Sequence, residues 1–220
     1  MKNRLVIAFI LLILLSTYKP QKLYLNNTFN IEEIEIEIEN NIILKDNEIK
    51  INLISLYNKN LIFLKTSNII KVLQKEDFIK SFEIKKIYPN KIKIKIFEKN
   101  PIAILQNNKK KFYLSENIKL INFTDDENFK NLPIVFGNKN DFKVLYKKLK
   151  KINFPLETVK SYYLYKSKRW DLKTYKNKII KLPSNNYTKN LENFMNLRKK
   201  NNFDKYTIFD YRINSQLILK

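Results

Sequence analysis

Residues 34–39 read Ile-Glu-Ile-Glu-Ile-Glu, and residues 91–96 read Lys-Ile-Lys-Ile-Lys-Ile. Strict alternation of apolar and charged residues is typical of a β-strand with one buried face and one face in water. Because the exposed face of the first segment is acidic and that of the second is basic, we expect the two strands to be neighbours with opposite charges paired across them. The isoleucines expected in the core are Ile36, Ile38, Ile94 and Ile96.

The residues between these two segments predict two short helices and a further strand. Asp46 is suited to cap the first helix, and Thr66 or Ser67 is suited to cap the second. A strand and a turn at Pro89-Asn90 then lead into the basic strand. The element order is therefore strand, helix, helix, strand, strand. The helical positions expected to face the core are Ile49, Leu53, Ile54, Tyr57, Ile69, Ile70 and Leu73.

Several residue types on which catalysis and metal binding rely are missing. The 220 residues include no His and no Cys, and Gly137 is the only glycine. These absences exclude an imidazole base, a thiol nucleophile, every common zinc ligand except carboxylate, disulfides and a glycine-rich phosphate loop. A carboxylate pair or a Ser–Lys dyad stays chemically open. We interpret the acidic run 125–127 as a solvent-facing loop, and we expect a binding protein, not an enzyme, with no cofactor, metal ion or small-molecule substrate.

The charge balance is strongly basic, with 43 Lys and Arg against 21 Asp and Glu and a formal net charge of +22. Such a balance is typical of proteins that bind nucleic acid or an anionic membrane surface. Here the lysines are interleaved with apolar residues along predicted strands, which favours a solvated strand face. We therefore expect no specific nucleic-acid binding, while attraction to anionic lipid head groups stays open.

The first 18 residues predict a membrane anchor. Residues 5–15 are apolar throughout, and Lys2 and Arg4 precede them. This length also fits the core of a cleaved signal peptide, but no small-x-small cleavage site follows. We therefore favour an uncleaved transmembrane helix at 1–18, followed by a polar linker at 19–29. Because so few residues precede the helix, we expect a cytoplasmic N-terminus and the bulk of the chain on the other side of the membrane.

The joints between the predicted elements carry a resemblance to a known family. The motifs at these joints are Ile36-x-Ile38-x-Asn40-Asn41, Asn60-Leu61-x-Phe63, Ile87-Tyr88-Pro89-Asn90 and Ile94-x-Ile96-x-Glu98-x-x-Pro101-x-Ala103. They resemble the POTRA domain of the bacterial cell-division family FtsQ, which is called DivIB in other lineages. Where that family tends to use glycine, this chain has Asn40 and Asn58. Asparagine is the next-best residue for a left-handed backbone, so we expect positive φ there.

The second half of the chain continues the resemblance, in order, with the β domain of the same family. A hairpin, a Leu-Pro step that uses the only glycine, a second hairpin, a helix and a closing strand follow one another. The motifs are Phe112-Tyr113-Leu114, Leu132-Pro133 with Gly137, Lys168-Arg169-Trp170-Asp171-Leu172, Ile180-x-Leu182-Pro183, the helical set Leu191, Phe194, Met195 and Leu197, and Phe209-Asp210-Tyr211-Arg212. We expect Trp170, the only tryptophan, to be a core residue.

The resemblance implies a fold of class α+β. It consists of an N-terminal transmembrane helix, a POTRA domain of order β-α-α-β-β at 30–100, and a second, mixed and mainly antiparallel β domain with helices at 101–220. It also implies a function, namely a non-enzymatic scaffold of the divisome during septum formation in the cell cycle. The protein would be a single-pass component of the cell inner membrane with a periplasmic bulk, and its POTRA domain would aid recruitment to the division site.

The last residues of the sequence predict a partner site. We expect residues 208–219 to form the final edge strand of the β domain, with no sequence after Lys220 to cover it. A free strand edge invites strand addition by another chain. The resemblance implies single-span coiled-coil partners of the FtsB and FtsL type. The residues that it implies at the contact are Arg169, Asp210, Arg212, Ile213, Ser215, Leu217 and Leu219.

Other functional classes stay open from the sequence. Spacing alone favours an ordinary edge strand with Arg212 as a surface charge, and only the family resemblance reverses this preference. A POTRA-type chaperone or transport accessory protein is a second class, although few residues follow the POTRA segment. A membrane-tethered nucleic-acid-binding protein is a third, supported by charge alone. A cell-wall enzyme is the fourth, and no residues of the sequence stand out as its catalytic groups.

Overall fold

A computed structural model describes residues 2–17, 28–40, 42–107, 110–213 and 216–220. The predicted linker at 19–29 lies outside the described residues except for positions 28 and 29. The described chain divides into two compact units, Met1–Glu98 and Lys99–Lys220.

The first unit begins with helix α1, Lys2–Thr17, which is 16 residues long. Its apolar side chains from Leu5 to Leu15 are exposed all round the helix. Among the residues that the structure describes, no helix combines the length and the apolar character needed to cross a membrane.

A three-stranded sheet follows α1 in the first unit. Its strands are β1 (Glu33–Glu39), β2 (Ile79–Ile87) and β3 (Lys91–Glu98), in the order β1-β3-β2. Strand β1 runs parallel to β3, and β2 runs antiparallel to it. The predicted pairing of the acidic and basic strands is confirmed, because Glu33, Glu35 and Glu37 of β1 lie beside Lys91, Lys93 and Lys95 of β3.

The charges of these two strands form a ladder of ion pairs on the face away from the core. Lys91 Nζ lies 2.5 Å from Glu35 Oε2, and Lys93 Nζ lies 2.8 Å from Glu35 Oε1. The hydrogen bonds from Lys91 and Lys93 lower the pKa of Glu35 to about 2. On the opposite face Ile36, Ile94 and Ile96 are buried, as predicted, while Ile38 is half-buried.

Helices α2 (Asp46–Asn52) and α3 (Thr66–Leu73) lie between β1 and β2 in the chain. Their predicted caps are wrong, since the N-cap positions are Lys45 and Lys65, with no side-chain cap hydrogen bond. Asp46 and Thr66 are the first helical residues instead. The negative charge of Asp46 still interacts favourably with the positive N-terminal end of the helix dipole. The residues of the predicted inward set that are buried are Ile49, Leu53, Ile69 and Leu73.

Ile54 is the exception within that inward set, because it is exposed. After α2 the chain tightens into a 3₁₀ turn, Ile54–Leu56, which changes the angular spacing of the side chains. Leu56 is buried in place of Ile54. Tyr57 and Ile70 are half-buried.

The backbone conformation and hydrogen bonds at two joints of the first unit explain why the sequence motifs occur there. Asn40 and Asn58 have φ of 75° and 62°, so the expected left-handed backbone is confirmed at both. The buried carboxylate of Glu98 accepts backbone hydrogen bonds from Ile42 (2.8 Å), Ile43 (3.2 Å) and Leu44 (2.6 Å). Glu98 at the end of β3 therefore fixes the loop that leaves β1.

The second unit is one mixed sheet with helices on one face. Its nine strands have the order β12-β11-β10-β9-β8-β7-β4-β5-β6. The strands are β4 (Pro101–Asn107), β5 (Lys110–Ser115), β6 (Leu120–Asn122), β7 (Ile134–Phe136), β8 (Val159–Leu164), β9 (Trp170–Thr174), β10 (Ile179–Lys181), β11 (Ile208–Asp210) and β12 (Ile218–Leu219).

Helices α4 (Lys139–Lys151) and α5 (Thr188–Leu197) cover one face of this sheet. Phe142 and Leu145 of α4 and Leu191 and Phe194 of α5 enter one apolar core with the inward residues of the strands. Trp170 is buried in this core, as predicted. In register across the sheet, the strand residues of this core are Leu105, Val135, Tyr162, Leu172, Ile180 and Phe209.

Gly137 follows β7 and lies close to Leu164 of β8. A Cβ atom at this position would lie 2.8 Å from Leu164 Cβ and 3.4 Å from Trp170 Cη2. No side chain fits that gap without displacing β8, which accounts for the placement of the only glycine.

The predicted continuous strand at 208–219 is wrong, because two short strands, β11 and β12, take its place. The carboxylate of Asp210 accepts the backbone N–H of Arg212 at 3.1 Å, a local turn that ends β11. The backbone N–H of Tyr211 donates to Lys181 O on the far side of β11. The chain then returns as β12, antiparallel to β11.

Candidate partner-binding site

Strand β12 is the edge of the nine-stranded sheet. It pairs with β11 on one side, with Leu219 opposite Phe209 and Ile218 opposite Asp210. Among the described residues, nothing pairs with its other side. An edge strand of this kind offers backbone groups to a further strand.

The hydrogen bonds of the chain end identify which groups face outward. The N–H of Lys220 donates to Ile208 O at 3.1 Å, and the N–H of Ile208 donates to Lys220 O at 2.9 Å. Backbone groups alternate in direction along an antiparallel strand. The N–H and C=O of Leu219 therefore point away from β11, to the free edge.

Side chains of β12 divide between the two faces of the sheet. Leu217 and Leu219 are partly buried against the core of the second unit, whereas Ile218 is exposed on the opposite face. The two predicted leucines thus hold β12 against the core, and the backbone of Leu219 is the part left open to another strand.

A charged pair lies beside this edge, at the end of β11. Arg212 Nε donates to Asp210 Oδ1 at 2.8 Å, and Arg212 Nη2 donates to Asp210 Oδ2 at 2.5 Å. The hydrogen bond from Arg212 lowers the pKa of Asp210, against the opposing effect of burial. The guanidinium remains 40% exposed while the carboxylate is mostly buried, so the positive end of the pair faces solvent.

Arg169, which precedes β9, is held by aromatic stacking. Its guanidinium lies over the ring of Tyr165, 4.3 Å from the centroid. Arg169 Nε is buried and has no hydrogen-bond partner among the described residues, and the same is true of Asp171 Oδ1. Burial raises the pKa of Asp171, while Tyr165 and the nearby positive charges act in the opposite direction.

Arg169 and Arg212 line one cleft of about 620 Å³. Its other walls come from the turn before β9 and the segment after β10, namely Ser167, Pro183, Ser184, Asn185 and Asn186. Two guanidinium groups with polar neighbours suit a carboxylate, because a guanidinium donates in a planar fork that matches both carboxylate oxygens.

Strand register adds one residue that the sequence did not single out. Lys181 of β10 pairs in register with Asp171 of β9 on one side and with Asp210 of β11 on the other. The three charges form a row that ends beside Arg212. Nothing in the sequence spacing places these positions together, since the row depends on the strand order.

The predicted site residues are only partly brought together. Arg169 and Arg212 share a cleft, Asp210 pairs with Arg212, and Ile213 next to them is exposed. Ser215 lies outside the described residues.

The grouping of acidic side chains is relevant to metal binding in the part of the chain that the structure describes. No group of three or more acidic side chains is arranged there to hold a metal ion. In the acidic run 125–127, Asp126 instead caps a short 3₁₀ turn by accepting the N–H of Asn128 at 2.8 Å.

Family comparisons match both units. Residues 29–99 match the FtsQ-type POTRA domain, and residues 103–212 match the C-terminal domain of the cell division protein FtsQ/DivIB. The chain is also similar to the cell division protein FtsQ of Rickettsia typhi (strain ATCC VR-144 / Wilmington), with 29% identity over 189 residues. The aligned region covers 84% of this chain and 70% of that protein.

A three-stranded sheet with two helices, followed by a mixed sheet with a free final edge, defines a POTRA-plus-β-domain protein. The chain belongs to the FtsQ/DivIB family of bacterial cell division proteins.

Proposed function

We propose that this protein is a non-enzymatic scaffold of the divisome that binds its partner chiefly by strand addition at β12. The observation that carries the proposal is the outward-facing backbone of Leu219 at the edge of the sheet. Strand addition uses main-chain hydrogen bonds for affinity and neighbouring pockets for specificity. The cleft at Arg169 and Arg212, where strands β9 to β11 meet their adjoining loops, supplies such a pocket on the same sheet.

The partner has an extended segment that carries at least one acidic side chain. Its strand pairs with β12, and its carboxylate enters the cleft, where Arg212 turns its exposed guanidinium outward. FtsB-like and FtsL-like single-span coiled-coil division proteins fit this role, as partners of the FtsQ family.

Helix α1 attaches the protein to the inner membrane, with the N-terminus in the cytoplasm and both folded units in the periplasm. The support is the ring of exposed apolar side chains from Leu5 to Leu15, which water solvates poorly. The first unit, as a POTRA domain, aids recruitment to the division site.

Affinity capture of the full-length protein from its own membranes tests the partner. Recovery of two small single-span coiled-coil proteins with the unaltered chain, and their reduced recovery with Leu219→Pro, is the expected result. Equal recovery with both chains would contradict strand addition at β12.

Topology has a separate test, because the chain contains no cysteine. A single cysteine introduced at the exposed Lys85 is expected to react with a membrane-impermeant maleimide in spheroplasts. Reaction only after the membrane is permeabilised would place the folded units in the cytoplasm.

A further inference from the structure

The helical side of the first unit carries exposed apolar side chains. Phe63 is 80% exposed, Ile54 67%, Ile51 66% and Ile62 43%. Single exposed apolar residues are ordinary on protein surfaces, but an almost fully exposed phenylalanine together with three isoleucines on one short segment points to an interaction surface. The opposite face of the same sheet carries the Glu–Lys ladder instead.

Phe63 is exposed from a fixed turn. The side chain of Asn60 accepts the backbone N–H groups of Ile62 at 2.9 Å and of Phe63 at 3.4 Å. Lys86 Nζ donates to the carbonyls of Leu61 at 2.8 Å and Leu64 at 2.7 Å. Leu61 and Leu64 are buried on either side. The turn is therefore tied to the sheet and to the core, and it holds Phe63 outward.

The lysines on either side of this turn differ from those of the ladder. Lys59 and Lys65 are exposed and make no ion pair with the described residues. In the ladder, Lys91, Lys93 and Lys95 are each paired with glutamates of β1. The uncompensated positive charge thus coincides with the exposed aromatic ring.

Chain length keeps this surface close to the end of α1. Helix α1 ends at Thr17, and the described chain resumes at Thr28. Eleven peptide units span at most about 40 Å when fully extended. If α1 is in the membrane, which is part of the proposed function, this tether gives the first unit a high effective concentration at the bilayer surface.

We propose that the first unit docks on the anionic membrane surface through the turn at Phe63. The ring enters the boundary between head groups and acyl chains, where phenylalanine on the apolar face of a membrane-surface element is buried. Lys59 and Lys65 lie at the level of the head groups and pair with anionic lipid. Basic residues beside exposed apolar ones favour a lipid surface as the occupant, since both components of that surface are then satisfied.

A single fluorescent label tests the docking in the full-length protein. Because the chain has no cysteine, Ile62→Cys takes one environment-sensitive dye beside Phe63, and Glu83→Cys takes the same dye on the ladder face as the matched control. Both proteins are reconstituted into vesicles of neutral phosphatidylcholine, with and without added phosphatidylglycerol.

The dye at position 62 is expected to shift to shorter emission wavelengths in the anionic vesicles and to be quenched by spin-labelled lipid, while the dye at 83 does neither. Phe63→Ser, or Lys59→Glu with Lys65→Glu, abolishes the shift, and Lys85→Glu on the ladder face leaves it unchanged. All these side chains are exposed, so circular dichroism is expected to show unaltered folding.

Flotation separates the outcomes. A chain that does not float with either kind of vesicle contradicts membrane attachment by α1, and with it the proposed function. If the chain floats but the dye at 62 is as exposed to water as the dye at 83, the docking alone is overturned. Shielding at 62 that is equal in neutral vesicles, or that needs a protein partner, also overturns it.

Discussion

Arg212 donates hydrogen bonds to both carboxylate oxygens of Asp210, at 2.8 Å from Nε to Oδ1 and 2.5 Å from Nη2 to Oδ2. The same carboxylate accepts the N–H of Arg212 and so ends β11. One pair of side chains therefore closes a strand and presents a guanidinium to the cleft that Arg212 shares with Arg169. The pair of Arg212 and Asp210 thus matters both for the end of strand β11 and for the proposed binding of a partner's carboxylate.

Arg212→Gln is expected to weaken binding of an FtsB-like partner about tenfold. The loss should shrink as salt concentration rises, because salt screens an exposed charge pair. Titration calorimetry at low and high salt measures both effects. Lys166→Gln, an exposed lysine outside the cleft, is the control. A loss that is the same at all salt concentrations would show that Arg212 acts through folding.

Proline substitutions in β12 separate partner binding from the integrity of the sheet. Leu219→Pro removes an N–H that faces the free edge, and edge strands tolerate proline on that side. It is expected to bind the partner about fivefold more weakly than Leu219→Ala, which corresponds to about 1 kcal/mol for one backbone hydrogen bond. The backbone N–H of Ile218 faces β11, so Ile218→Pro should also detach β12 from β11.

Hydrogen exchange on the free proteins is the control for that pair. The amide of Lys220 should stay protected in Leu219→Pro and lose protection in Ile218→Pro. If Leu219→Pro binds as well as Leu219→Ala, the partner does not use this backbone group.

Glu35 is expected to titrate near pH 2 in the folded protein. Because its pKa lies below the ordinary value of 4.5, its ion pairs stabilise the first unit above about pH 4.5. That contribution is lost as the pH falls from about 4.5 towards 2. Carboxyl-carbon NMR measures the midpoint, and Lys91→Met should move it back towards 4.5. An unchanged midpoint in Lys91→Met would show that Lys91 is not the main cause.

Gly137→Ala is expected to lower the free energy of unfolding of the second unit by about 1–3 kcal/mol, because the new Cβ would overlap Leu164 Cβ. Urea unfolding followed by the fluorescence of Trp170 measures it. Adding Leu164→Ala should not relieve the clash, since alanine keeps the offending Cβ. Full relief in that double variant would mean that the outer leucine atoms, not the Cβ, cause the strain.

Local patterns predicted much of this fold. Strict alternation at 34–39 and 91–96 gave both the strands and their pairing, because opposite charges and a shared apolar face admit one arrangement. Asn40 and Asn58 marked left-handed turns, since few other residues tolerate that backbone. In these places the chemistry of neighbouring residues is sufficient.

Where tertiary contacts decide the structure, the sequence was insufficient. The side chains of Asp46 and Thr66 predicted that these residues cap the two helices. Each is instead the first helical residue, so each helix begins one residue earlier than predicted. The end of β11 depends on the hydrogen bond from the N–H of Arg212 to the carboxylate of Asp210, which interrupts a run that alternates only weakly. Lys181 joined the site only through the order of strands β9, β10 and β11.

Hydrogen exchange at the amide of Leu219 tests strand addition at β12 most directly. The full-length protein is compared alone and saturated with the soluble part of an FtsB-like partner. If the partner adds a strand to β12, exchange of the Leu219 amide is expected to slow at least tenfold in the complex. The amide of Lys220, already bonded to Ile208 O, should change little. Unchanged exchange at Leu219 in a saturated complex would show that the partner binds elsewhere.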